Sequence, residues 1–83
     1  MHVLEATKIA RKIIRETISR RVDIWTNKYD ACRTVKCYLT DDTAENEIIA
    51  QVAKQIPNAT VKVLAPMINS YCPPSLIIRI PNN

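Results

Sequence analysis

Glycine and phenylalanine are both missing from the 83 residues, and histidine occurs once. No apolar run approaches the ~20 residues that a membrane-spanning helix needs, and the N-terminus lacks the apolar segment of a signal peptide. Each absence excludes something. Without glycine there can be no phosphate loop of the glycine-dependent kind, and turns must be made with Asn, Asp and Pro. Without a membrane or export segment, a cytoplasmic protein is expected. His2 has no second imidazole to work with. Together with Cys32, Cys37 and Cys72 it matches no spacing typical of a structural zinc site, so neither a metal nor a cofactor is expected. An odd number of cysteines also argues against a disulfide framework. Clustered carboxylates occur at Asp41, Asp42, Glu45 and Glu47, where capping of a helix start already accounts for them. No residue stands out as catalytic. A non-enzymatic protein without a small-molecule substrate is the expectation.

What is present is ordinary globular material, 47% hydrophobic and 24% charged, with enough apolar side chains for one small domain spanning residues 1–83. Its organising stretch runs from Thr34 to Leu64. Val35, Cys37 and Leu39 alternate with Thr34, Lys36 and Tyr38, the period of a strand with one buried face. Asp42 followed by Glu45 reads as a capping box. Ala44, Ile48, Val52 and Ile56 then recur at spacing four, with Ile49 and Ala53 beside them, which predicts an amphipathic helix. Pro57 and Asn58 end it. Val61 and Val63 alternate with Thr60, Lys62 and Leu64 to give a second strand. A connection carrying Pro66, Pro73 and Pro74 leads to Leu76–Ile80. That strand is apolar on both faces and so belongs in the middle of a sheet, antiparallel to its two neighbours.

The segment before this unit has the longest periodicity. On a helix from Val3 to about Trp25, residues Ala6, Ala10, Ile13, Ile14, Ile18 and Trp25 share one side. Ile9, Val22 and Ile24 widen that side to more than half the circumference, while Lys8, Lys12 and Arg15 share the opposite face. Thr26–Asp30 reads as a loop. The expected fold is therefore α+β: a leading amphipathic helix, then a split β-α-β unit, in the order α-β-α-β-β. Its sheet has three strands, mixed in direction, with both helices on one face. This element order resembles, in topology, the Alba-type chromatin proteins and the C-terminal domain of bacterial translation initiation factor three, with the first strand of those folds missing here.

Two functional readings follow from surfaces rather than motifs. The apolar arc of the first helix is wider than a three-stranded sheet can cover. It implies stoichiometric contact with another protein, as an adaptor, inhibitor or dimeric accessory factor, or with a second copy in a homodimer. Ile9, Ile18, Val22 and Trp25 would form that contact. The alternative is nucleic acid. The net charge is +4, concentrated in residues 1–37, which hold nine basic and four acidic residues against three and four in the remainder. Lys8, Lys12 and Arg15 on the helix, or Lys36, Tyr38, Lys62 and Arg79 on the sheet face turned away from the helices, would then meet phosphates and one stacked base.

Overall fold

The computed structural model describes residues 2–18, 22–39, 42–64 and 74–82. Helix α1 spans Val3–Thr17 and α2 spans Asp42–Gln55. The strands are β1 (Ile24–Lys28), β2 (Cys32–Tyr38), β3 (Thr60–Leu64) and β4 (Ser75–Pro81). The order is thus α-β-β-α-β-β. The strands form one sheet ordered β1-β2-β4-β3 in which every pairing is antiparallel, not the mixed sheet expected, because β4 separates the parallel β2 and β3.

Three other expectations change. The first helix ends at Thr17 rather than near Trp25, because Ile18 is already extended (φ −90°, ψ 110°) and its amide only closes the last turn on Ile14. Ile24–Lys28, placed at the end of that helix and in the following loop, is an additional strand, so the sheet has four strands instead of three. Ile24, Trp25 and Thr26 are β-branched or aromatic, and they gain a ladder on β2 that a helix end could not offer. The element order changes accordingly, and the order on which the topological resemblance rested is not the observed one. The turn between β1 and β2 manages without glycine. The Tyr29 amide donates to the Cys32 carbonyl at 2.8 Å, leaving Asp30 and Ala31 as the two central residues. The Asn82 side chain then donates to the Asp30 carbonyl at 2.8 Å, and its amide to the Ala31 carbonyl at 3.1 Å. The chain's last described residue therefore clamps its first hairpin.

The split unit is as expected. β4 lies between β2 and β3 and is antiparallel to both. β2, α2 and β3 together form a crossover that leaves room for β4 between its strands. The Leu39 amide donates to the Pro74 carbonyl at 2.8 Å, extending the β2–β4 ladder by one bond. At the start of α2, the capping box expected of Asp42 rests on a side chain outside the described residues, and Asp41 and most of the Pro66–Pro74 connection, including Cys72, lie outside them as well.

One core forms between the helices and the inner sheet face. Ala6, Ala10, Ile13 and Ile14 of α1 meet Val35 and Cys37 of β2, Leu76, Ile78 and Ile80 of β4, and Ala44, Ile48, Val52 and Ile56 along α2. Both helices therefore cover the same side of the sheet. α1 lies over β2 and β4, and α2 lies beside it over β3. Each fully buried isoleucine or leucine contributes about 1.5–3 kcal/mol through the apolar surface it removes from water. Cys37 is part of this packing, and burial pushes its thiol from 9.0 up to about 11.

Candidate nucleic-acid interface

Because side chains alternate along a strand, the register that buries Val35, Cys37, Leu76 and Ile78 sends their neighbours to the opposite face. Neither described helix packs there. The pairings place Trp25 beside Lys36, Lys36 beside Ile77 and Ile77 beside Lys62, a row that crosses all four strands. The next row is Asn27, Thr34, Arg79 and Thr60. On the other side lie Tyr38, Ser75 and Leu64. Strands are about 4.8 Å apart, so Lys36 and Lys62 stand roughly 10 Å from each other across Ile77. Arg79 lies diagonally from both, at about 7–8 Å. The three cations form a triangle around one apolar side chain. No carboxylate falls on this face among the described strand residues.

The aromatic part of the face lies at its β1–β2 end. The Trp25 and Tyr38 rings have centroids 5.4 Å apart and planes at 81°, an edge-to-face pair. The Lys36 ammonium lies 5.2 Å from the Tyr38 centroid, so one face of that ring is taken by a cation. Trp25 is 44% exposed. Its strand is held from below by Arg11 of α1. The Arg11 Nη1 donates to Thr26 Oγ1 at 2.9 Å and to the Ile24 carbonyl at 3.4 Å, the residues on either side of Trp25. Arg79 is steered as well, its Nε donating to Cys32 Sγ at 3.4 Å.

The sequence-derived candidates separate in space. Lys36, Tyr38, Lys62 and Arg79 come together on the outer sheet face. Lys8, Lys12 and Arg15 lie along the exposed side of α1, beside Arg11, around a depression of about 390 Å³. Lys12 there is within 3.9 Å of Glu16, a highly exposed pair of little energetic weight. The protein-contact candidates disperse. Ile18 is only 4% exposed and belongs to the core, Ile9 and Val22 pack against it, and Trp25 has moved to the sheet. Much of the wide arc expected of α1 packs into the core, with Val3, Ile9 and Val22 partly buried against it.

No family model, curated protein or solved structure matches this chain.

Trp25 is the residue whose place on this surface the sequence reading missed. The signal was there: Ile24 and Thr26 alternate with Trp25 and Asn27, and a two-residue turn separates them from β2. The turn lacks glycine, and the helical period ran through the same residues. Other chemistry finds little support. Cys32 and Cys37 lie on opposite faces of β2. His2 caps α1, its Nδ1 accepting from the Leu4 amide at 3.1 Å. No group of three metal-ligating side chains occurs among the described residues. A polar groove of about 390 Å³ between the helices is lined by Ile13, Glu16, Thr17, Glu47, Gln51 and Gln55. Its lining has two carboxylates and no cation. No described helix is long and apolar enough to cross a membrane.

Proposed function

We propose that this chain is a small, non-enzymatic, cytoplasmic binding module whose outer sheet face holds nucleic acid by stoichiometric contact. The observation that carries the reading is the triangle of Lys36, Lys62 and Arg79 around Ile77, set on a four-stranded sheet with no acidic side chain among the described strand residues of that face. Three cations at this spacing can neutralise successive or neighbouring phosphates. Thr34, Thr60, Asn27 and Ser75 supply hydroxyl and amide donors between them. The sheet is held from behind by a packed core, so the charges are positioned before a ligand arrives.

Salt makes this testable. Each phosphate contact to a single strand lowers log affinity by roughly 0.7 per unit of log salt, so three contacts predict a slope of about −2. Changing Lys36 and Lys62 to Glu abolishes binding at low salt, while changing Lys8 and Lys12 to Glu leaves most of it. The reverse ranking would transfer the site to α1.

A second reading rests on the same face. Trp25, Ile77 and Leu64 give it an apolar centre, with Leu64 41% exposed, and a cation-framed apolar patch also fits an acidic protein surface. The case for a homodimer through α1 is weaker, since Ile13, Ile14 and Ile18 are spent in the core. Failure of single and double strands to bind at low salt would leave the protein partner as the standing proposal.

A further inference from the structure

The corner where β1 meets β2 has a geometry that phosphate binding alone does not use. Trp25 occupies an edge strand at the end of the row that continues through Lys36, Ile77 and Lys62. An indole this exposed at a sheet edge keeps a large apolar surface in water; Tyr38 braces the ring, and Arg11 ties its strand through Thr26 and Ile24 on either side. Of the two rings, Tyr38 has a face already engaged by Lys36. Trp25 is the wider ring, and neither its edge-to-face partner nor a described cation lies stacked flat on it.

We propose that Trp25, braced edge-to-face by Tyr38, is a base-stacking site that makes this face selective for unpaired nucleotides. The inference rests on the nucleic-acid reading above and adds the class of strand. A base inside a duplex has both faces covered by its neighbours, and exposing one costs unstacking. A single strand lays a free base face against the indole, and its backbone then runs toward Lys36, placing phosphate within reach of the ammonium. Stacking of this kind tolerates every base, because each has a π-face. The site therefore distinguishes strandedness and reads little sequence.

The chain contains one tryptophan, so its emission reports this site alone. The probes are an oligothymidylate, the same strand annealed to its complement, and an abasic strand of equal length. The oligothymidylate quenches Trp25 and binds more tightly than the duplex or the abasic strand. Trp25→Ala lowers its affinity by about 5- to 150-fold, the range of one lost base stack, without changing the salt slope. Binding of the duplex and the abasic strand is unaffected by this change. Trp25→Phe, which keeps a ring on the strand, retains most of the affinity, and circular dichroism establishes that both variants fold. Equal affinity for all three probes with unquenched emission overturns the stacking site and leaves the phosphate reading intact. No binding of any probe at low salt overturns both.

Discussion

Two residues show how position decides what a side chain can do. Cys32 and Cys37 belong to the same strand, five residues apart, and therefore face opposite sides of the sheet. Cys32 lies beside Arg79, whose Nε reaches its sulfur at 3.4 Å. Cys37 is sealed between sheet and helices, where desolvation disfavours the thiolate and raises the thiol to about 11. The sign of the consequence follows directly. The unfolded chain deprotonates Cys37 near 9.0 and the folded chain only near 11, so the stability present below pH 9 falls as pH rises between those values. The loss attributable to this residue is roughly 2 kcal/mol. Denaturation of the wild type and of Cys37→Ala from pH 7 to 11 measures it: the wild type should lose stability faster over the upper part of that range. Parallel curves would show that the thiol does not titrate with unfolding. At neutral pH the buried thiol is protonated and unreactive.

At the scale of elements, the β1–β2 hairpin is the part that needed help from elsewhere. Two-residue hairpin turns favour glycine because of the positive φ angles they require, and this chain has none. Asn82 compensates by binding both turn carbonyls from the far end of the sequence, its Nδ2 also lying 3.4 Å from the Tyr29 carbonyl. Asn82→Ala should cost about 0.5–1.5 kcal/mol and loosen β1 first, seen as faster amide exchange of Ile24–Lys28. An unchanged exchange pattern would mean the turn is stable without the clamp. Such a contact between residues 30 and 82 cannot be read from local pattern, which is why that pattern alone reads β1 as helix end and loop. β2, α2, β3 and β4 were legible because each carries its own signal: alternation at Val35–Leu39, spacing four from Ala44 to Ile56, and a two-faced apolar run at Leu76–Ile80. α1 was legible at its start and not at its end. Ile18, Val22 and Ile24 continue the apolar series whether the chain is helical or extended, and only the ladder on β2 resolves the choice.

For the whole molecule, the order β1-β2-β4-β3 concentrates stability in the middle of the sheet. β4 is hydrogen-bonded on both edges and buries Leu76, Ile78 and Ile80 completely or nearly so. Its amides should exchange more slowly than those of edge strands β1 and β3. Faster exchange at Leu76–Ile80 than at Ile24–Lys28 would contradict the topology. Ile48→Ala, which empties a fully buried site between α2 and the sheet, should cost about 2–5 kcal/mol, as read from the denaturant midpoint. The same architecture divides the surface. The helical side mixes charges of both signs, including Glu5, Glu16, Glu45 and Glu47, whereas the charged side chains among the described strand residues of the outer sheet face are all cations. Most of that face was visible in the sequence once one face of β2 was assigned to the core, since Lys36, Tyr38, Lys62, Ile77 and Arg79 then follow by parity. Trp25 does not, because the local pattern reads its segment as the end of a helix.

The most direct test is to map contacts residue by residue, by following backbone amide and tryptophan indole resonances during titration with a single-stranded oligothymidylate at low salt. The account predicts the largest shifts at Lys36, Ile77, Lys62, Arg79 and the Trp25 indole, with α1 nearly silent. Shifts centred on Lys8, Lys12 and Arg15, or none at saturating strand, would contradict it.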